Sequence, residues 1–163
     1  MSGGARGQAV TLRHAEYLHH NGDGMIDVTS LRGAPATDTL ILSGVAGRSD
    51  GLRPHFTYHG FRFVEVTKYP GEPTKDSLEC YHFHSDVERI GHADFSMFLL
   101  NKLFKNILYT QTANLMSIPT DCPQRDERHG WTADAHLSSD EAIHNFFMPS
   151  FYENWMTLMD DDQ

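Results

Sequence analysis

The residues best suited to chemistry lie in one loop, residues 117–135, with the sequence SIPTDCPQRDERHGWTADA. Acidic side chains are concentrated there, together with two arginines and a tryptophan. The four carboxylates and the tryptophan are Asp121, Asp126, Glu127, Asp134 and Trp131. Binding and catalytic groups are often carried on loops between regular elements. This loop is therefore the first candidate site.

A cluster of this kind can cleave a glycosidic bond. One carboxylic acid protonates the leaving oxygen, and a second carboxylate activates water or attacks the anomeric carbon. Burial and neighbouring negative charges raise the pKa of the first group and so keep it protonated. A tryptophan offers a flat apolar face to a sugar ring. An arginine donates hydrogen bonds to hydroxyl groups or holds a carboxylate in place.

The same residues also fit a structural role. Charged loops are usually solvated, and residues 125–128 could form a surface ladder of ion pairs that adds little stability. Trp131 would then be an aromatic residue at the edge of the core. Composition alone favours this structural alternative.

The order of the residues favours the catalytic interpretation. Residues 119–128 (PTDCPQRDER), followed by GWT at 130–132 and DA at 134–135, resemble the signature of α-L-rhamnosidases of glycoside hydrolase family 78. Shorter segments agree in the expected order along nearly the whole chain. They are TLRHAE at 11–16, ATDT at 36–39, FTYHGFRFVEV at 56–66, HSD at 84–86 and LLN at 99–101.

This resemblance implies a fold in two parts, α+β by segment. Residues 1–88 would be a portion of an antiparallel, concanavalin-like β-sandwich. Residues 89–163 would be the first helices of an (α/α)6 six-hairpin barrel, incomplete within this chain. The residue pattern agrees with this division. In the first half, residues alternate between two faces as in strands, and in the second half, apolar residues recur at helical spacing.

The resemblance also implies an activity and residue roles. The family hydrolyses terminal non-reducing α-L-rhamnose with inversion at the anomeric carbon. Glu127 matches the general acid of the family. Asp121, Arg125 and Asp134 match groups that contact the sugar, and Trp131 matches the aromatic wall of the rhamnose pocket.

Four other loop residues have no assigned contact with the sugar. Asp126 and Arg128 are expected to pin the loop. His129 stands where the family usually has leucine, and Ala133 stands where it usually has glycine. His129 could shift neighbouring pKa values or be a harmless exposed change, and we favour the second. Ala133 would strain the backbone only if its position requires a positive φ.

The general base of the family is a glutamate in a later barrel hairpin, and the matching stretch would lie beyond Gln163. Glu141 and Glu153 resemble helix-start residues instead. An inverting enzyme holds its acid and base roughly 6.5–9.5 Å apart on opposite faces of the sugar. We therefore expect a fragment that is inactive alone. The alternatives are a rhamnose-binding, lectin-like remnant and a subunit completed by another chain.

Composition bounds the remaining function classes. The net charge of -9 argues against nucleic-acid binding. No apolar run approaches the roughly 20 residues of a membrane span, and residues 1–7 lack the apolar core of a secretory signal. Cys80 and Cys122 form no disulfide framework. We expect an α-L-rhamnoside as the substrate, with no cofactor and no metal.

Two weak metal patterns were considered. His82 and His84 alternate on a predicted strand, but no third ligand is evident. The segment from His19 to Ser30 has calcium-loop spacing, yet these two residues occupy the first and twelfth positions, where acidic residues are needed. The sequence NGDG at 21–24 fits a hairpin turn better.

The alternating and helical patterns also predict individual elements. Strands are expected over residues 10–16, 37–43, 55–69 and 78–84, and a helix over residues 94–116 capped by Asp94 or Ser96. Capping-box patterns at 138–141 and 150–153 predict the starts of two further helices, the first ended by Pro149.

Overall fold

The computed structural model describes residues 1–161, which divide into two compact units. Unit 1 comprises Met1–Tyr81 and the short segment Gln124–Asp126, and unit 2 comprises the rest. Antiparallel strands form the framework of unit 1, and helices dominate unit 2. This confirms the predicted fold class. The predicted boundary between residues 88 and 89 stays a prediction.

Unit 1 is built on a three-stranded antiparallel sheet. Its strands are β1 (Ala9–Ala15), β4 (Thr37–Ile41) and β5 (Phe63–Thr67), with β1 in the centre. Successive side chains of a strand point to opposite faces. Val10 and His14 share one face of β1, and both are buried. The alternation predicted for this segment is thus confirmed.

A small hairpin precedes the second strand of the sheet. It consists of β2 (Tyr17–Leu18) and β3 (Ile26–Asp27). Gly22 and Gly24 in its turn have φ angles of 77° and 75°, a region that glycine enters without steric cost. The Asp23 carboxylate accepts a hydrogen bond from the Met25 amide at 2.8 Å. The predicted hairpin turn is confirmed.

Two predicted strands were wrong in extent or in kind. Within residues 55–69, only β5 pairs with β1, and residues 55–62 form no continuous ladder. Residues 78–84 form no strand with any part of the chain that the structure describes. A strand needs a hydrogen-bonded neighbour, and alternation alone does not supply one.

Unit 2 combines three helices with a second short hairpin in the described residues. The elements are α1 (Phe98–Ala113), β6 (Leu115–Met116), β7 (Ile118–Pro119), α2 (Thr132–Asn145) and α3 (Pro149–Asp161). The core residues are Leu108, Leu115, Ala142, Phe146, Met148 and Phe151. None of the described helices is long and apolar enough to cross a membrane.

The start of α1 differs from the prediction. Its N-cap is Met97, which makes no side-chain cap, so neither Asp94 nor Ser96 caps the helix. The Asn101 side chain binds the backbone of Phe95 instead, with its oxygen accepting at 2.8 Å and its amide donating at 2.7 Å. A side chain inside the helix therefore organises the chain before it.

The start of α2 corrects one helix prediction, whereas α3 confirms the other, beginning one residue before the predicted start. α2 begins at Thr132, ahead of the capping-box residue Ser138. The Ser138 hydroxyl donates to the Asp134 carbonyl at 3.0 Å, one turn back in the same helix. Pro149 opens α3 rather than ending a helix through Phe147. Proline suits a first helical position because that amide has no partner within the helix.

Candidate active site

The first residues of the candidate loop, 117–119, belong to the β6–β7 hairpin. Directly after the hairpin, the Thr120 amide donates to the Asn114 carbonyl at 2.8 Å, and the Thr120 hydroxyl donates to the same oxygen at 3.2 Å. Ser117, in the hairpin turn, has a φ of 65°. These contacts anchor the loop to the C-terminal end of α1.

Asp121 closes the loop onto its own far end. Its Oδ1 accepts a hydrogen bond from the His129 amide at 2.8 Å, and its own amide donates to the His129 carbonyl at 3.1 Å. Cys122, the next residue, is buried. Asp121 thus holds two ends of the loop together.

Glu127 and Trp131 are in direct contact. The indole Nε1–H donates to Glu127 Oε1 at 2.8 Å. Trp131 occupies the N-cap position of α2, and the residue is 50% exposed. About half of the Trp131 surface is therefore exposed, while its indole N–H holds the Glu127 carboxylate.

The backbone at Glu127 is strained. Glu127 has a φ of 107°, and the following Arg128 has a φ of 51°. Such conformations cost about 1–3 kcal/mol each in residues with a Cβ, and they cluster at functional sites. The surrounding contacts must hold this stretch in place.

Gly130 allows the loop to pass close to its neighbours. A Cβ at this position would lie 3.2 Å from Ile118 Cδ1 and 3.3 Å from Trp155 Nε1. Both distances are shorter than ordinary van der Waals contact. An alanine there would require the side chains of Ile118 and Trp155 to shift by a few tenths of an ångström.

Three further loop residues, Asp134, Ala133 and His129, lie within or just before the first turn of α2. Asp134 lies in the first turn of α2 and is exposed, where a negative charge favours the helix. Ala133 is helical, so its methyl group meets none of the strain that a positive φ would cause. The His129 side chain is exposed, with its ring centroid 5.8 Å from that of Trp131.

The short segment Gln124–Asp126 packs within unit 1. Arg32 Nε donates to Asp126 Oδ1 at 2.8 Å, and the Asp126 amide donates to the Leu31 carbonyl at 3.4 Å. These contacts agree with the expected pinning role of Asp126. Arg125 in this segment is partly buried.

An open cavity of about 260 Å³ lies between α2 and α3. Burial raises the pKa of Tyr152 in its wall, and the charge of Glu141 raises it further. Burial also raises the pKa of Glu141, which an Asn145 amide contact of 3.0 Å partly offsets. The lining residues are Thr132, Ala135, His136, Ser139, Tyr152, Trp155 and Met156.

None of the five site residues assigned from sequence lines this cavity. The sequence signal for this cavity was the spacing of two aromatic residues: Tyr152 and Trp155 are three residues apart and so lie on one face of a helix. Their ring centroids lie 6.4 Å apart.

Two family profiles match almost the entire chain. The bacterial alpha-L-rhamnosidase concanavalin-like domain matches residues 2–84, and the bacterial alpha-L-rhamnosidase 6 hairpin glycosidase domain matches residues 88–163. The chain belongs to the bacterial α-L-rhamnosidase family. The resemblance found in the loop sequence is therefore confirmed, as is the predicted succession of a β-sandwich portion and the start of a helical barrel.

Curated members of the α-L-rhamnosidase family align along most of this chain. An α-L-rhamnosidase of Streptomyces avermitilis is 40% identical over 160 residues, which is 98% of this chain and 15% of that protein. An α-L-rhamnosidase of an Alteromonas species is 40% identical over 152 residues, or 90% of this chain and 15% of that protein. The chain thus spans about 15% of the length of these curated relatives.

Solved α-L-rhamnosidase structures share the fold. The enzyme from Dictyoglumus thermophilum superimposes with a TM-score of 0.88 at 46% identity, over 93% of this chain and 17% of that chain. The Streptomyces avermitilis enzyme complexed with L-rhamnose gives a TM-score of 0.90 at 40% identity, over 98% of this chain and 15% of that chain.

Proposed function

We propose that this chain forms the acid side of an α-L-rhamnosidase active site, with Glu127 as the general acid. The observation that carries the proposal is the hydrogen bond of 2.8 Å from Trp131 to a glutamate held on strained backbone. Strain is retained where the surrounding structure and function require it. Membership of the family supplies the reaction class.

The proposed roles follow the chemistry of each side chain. Glu127 protonates the glycosidic oxygen as the bond to the anomeric carbon breaks. Trp131 gives the rhamnose ring an apolar wall and keeps the acid in one orientation. Asp121, Arg125 and Asp134 bind rhamnose hydroxyls. The His129 backbone fixes the Asp121 carboxylate for this task.

We further propose an inverting reaction whose general base is supplied by a part of the enzyme other than these residues. An inverting base must face the acid across the sugar, roughly 6.5–9.5 Å away. The two glutamates on α2 and α3 have other surroundings: Glu141 accepts a hydrogen bond from Asn145, and Glu153 is exposed. As an isolated polypeptide, the 163 residues would then not turn over rhamnosides.

The exposed apolar surface of α1 favours completion by further polypeptide. Phe98, Leu99 and Leu103 are 80%, 66% and 53% exposed. Exposed apolar patches of this kind mark interaction surfaces. A later part of the same protein or another chain could cover them and bring the base to the site.

A chimera tests the proposed acid. These 163 residues would replace the matching segment of the Streptomyces avermitilis relative, and hydrolysis of an alkyl α-L-rhamnoside would be measured. The chimera should be active and the isolated chain inactive. Glu127→Gln should lower kcat of the chimera by about 10²–10⁴-fold, whereas Glu153→Gln, an exposed control on α3, should leave it unchanged.

The leaving group separates an acid from a merely structural residue. Rhamnosides with a strongly acidic phenol as leaving group need little protonation, so they should lose far less activity in Glu127→Gln than alkyl rhamnosides do. An equal loss on both substrates would refute the acid role. Rhamnose binding by the isolated chain, together with an inactive chimera, would instead favour a lectin-like module.

A further inference from the structure

Three possible metal ligands of unit 1 converge from separate segments of the chain. His14 lies on β1, Asp38 lies on the neighbouring strand β4, and His59 lies in the segment before β5. Each offers a ligand atom within 4.8 Å of those of the other two. All three lie outside the loop that carries Glu127.

The three side chains of the cluster are largely shielded from solvent. The rings of His14 and His59 are stacked, with centroids 4.3 Å apart and planes at 23°. The Phe61 ring closes a second side of His14 at 4.9 Å. His14 is 7% exposed, and the side chains of His59 and Asp38 are 11% and 15% exposed. Burial of polar groups is costly unless each finds a partner.

The hydrogen bonds of His14 leave one of its ring nitrogens suited to a metal. His14 Nδ1 lies 3.1 Å from the Ala36 carbonyl. Because a carbonyl only accepts, Nδ1 carries the hydrogen and Nε2 carries the lone pair. A metal-bound histidine usually donates its other N–H to a carbonyl or carboxylate in this way.

His59 supplies a second ring nitrogen. Its Nε2 lies 3.1 Å from Asp38 Oδ2. Its Nδ1 is buried and has no hydrogen-bond partner among the described residues. A buried polar atom without a partner calls for an explanation such as an ion. The carboxylate of Asp38 provides negative charge beside both rings.

We propose that His14, Asp38 and His59 form a binding site for a divalent transition-metal ion, with Zn²⁺ as the preferred occupant. Two imidazole nitrogens and one carboxylate oxygen are a donor set that suits zinc, with water as a fourth ligand. Ligand atoms around tetrahedral zinc lie about 3.4 Å apart, given bonds of about 2.0–2.1 Å. Side-chain rotations therefore have to tighten the cluster and turn the stacked rings so that a nitrogen of each points to the ion.

The ion would join three segments that are distant from one another in the sequence. β1 and β4 already pair, with Leu12 opposite Asp38. The segment that carries His59 has no continuous ladder with the sheet. Coordination would fasten it to both strands, and binding to the folded state alone would raise the melting temperature.

A titration of the chain without an affinity tag, after treatment with a chelator, tests this site. Calorimetry with ZnCl₂ should show one ion bound per chain, and the bound ion should raise Tm by several degrees. His14→Ala, His59→Ala and Asp38→Asn should each weaken binding at least tenfold. His82→Ala should not, although the rings of His82 and His84 lie 4.9 Å apart.

Spectroscopy of the unaltered chain keeps the test valid if a variant fails to fold. Imidazole ¹⁵N resonances of His14 and His59 should move when one equivalent of Zn²⁺ is added, and bound Co²⁺ should show the strong visible bands of a site of low coordination number. Absence of binding at millimolar zinc would overturn the proposal. So would zinc-induced shifts confined to other histidines, or unchanged affinity in His14→Ala.

Discussion

The central strand β1 of unit 1 and the helix α1 of unit 2 bury their apolar side chains to different degrees. The central strand β1 of unit 1 carries Val10 and Ala15 without any exposure, whereas α1 of unit 2 leaves Phe98 and Leu99 80% and 66% exposed. β1 has a hydrogen-bonded strand on each side. A helix buries only the stripe that meets a neighbour. The apolar side chains of β1 are thus buried within unit 1, while several apolar side chains of α1 have no neighbour that buries them among the described residues.

Core truncations give the largest expected effects and test whether the two units unfold separately. Leu31 in unit 1 and Leu115 in unit 2 are 1% and 0% exposed. Replacing either with alanine should lower the free energy of unfolding by about 2–5 kcal/mol. Both tryptophans belong to unit 2. Leu115→Ala should therefore lower the urea midpoint seen by tryptophan fluorescence, and Leu31→Ala should leave that midpoint unchanged.

The histidine resonances of unit 1 serve as the reciprocal probe. His14 should report a lower urea midpoint in Leu31→Ala and an unchanged one in Leu115→Ala. If both substitutions shift both probes equally, the units unfold as one, and the contrast between them does not extend to stability.

A glycine comparison gives the next largest effect. A Cβ at Gly91 would collide with the His144 carbonyl and lie 2.7 Å from Asn145 Cα, both backbone atoms. Gly91→Ala should cost about 1–3 kcal/mol from overpacking, and about 1 kcal/mol more if the bond from its amide to Asn145 is weakened. Gly47, with open space and a φ of 77°, should cost about 1–2 kcal/mol as alanine.

Urea unfolding of the two alanine variants measures this difference. Gly47 lies in unit 1, so its variant should leave the tryptophan-detected midpoint unaltered. A Gly91→Ala protein as stable as the parent would show that the backbone around Asn145 yields easily.

Glu141 gives a smaller, pH-dependent effect. Burial raises its pKa above the usual 4.5 in the folded state. The folded state therefore binds the proton more tightly than the unfolded state. Stability is full below pH 4.5 and falls as pH rises through the raised pKa. Glu141→Gln should remove this fall, so the variant should be more stable than the parent at neutral pH.

The Glu141 effect is measured by the melting temperatures of the parent chain and of Glu141→Gln between pH 4 and pH 8. The two curves should converge at the acidic end. Glu153→Gln, at an exposed position of α3, should run parallel to the parent. If the Glu141→Gln curve also runs parallel to the parent curve, the fall in stability with rising pH does not come from the Glu141 carboxyl.

A substitution at an exposed position of α1 gives the smallest expected change in stability and sharpens the contrast with β1. Leu99→Lys should alter the free energy of unfolding by less than about 0.5 kcal/mol, because the side chain is 66% exposed. It should also reduce self-association in sedimentation velocity. Leu108→Lys, at a 9% exposed position of the same helix, should prevent stable folding of unit 2. Equal outcomes for both would mean that α1 is not amphipathic in solution.

Several elements were predictable because their signals are local. The turn at residues 21–24 follows from glycine and aspartate chemistry, and β4 begins at Thr37 as expected. The loop of residues 117–135 was identified from the residue string itself. The start of α2 was missed because its N-cap, Trp131, makes no side-chain cap. Only the three-dimensional structure shows that Trp131 precedes the first residue of α2 and that its indole N–H donates to Glu127.

The sequence by itself determined the family, the order of strands before helices, and the loop that holds the candidate acid. These properties depend on residue identity and short-range spacing. Tertiary structure decided the extent of β5, the strained backbone at Glu127 and the meeting of His14 with Asp38 and His59. Each depends on which distant segments become neighbours, and hydrogen-bonded pairing and packing determine this only when the chain folds.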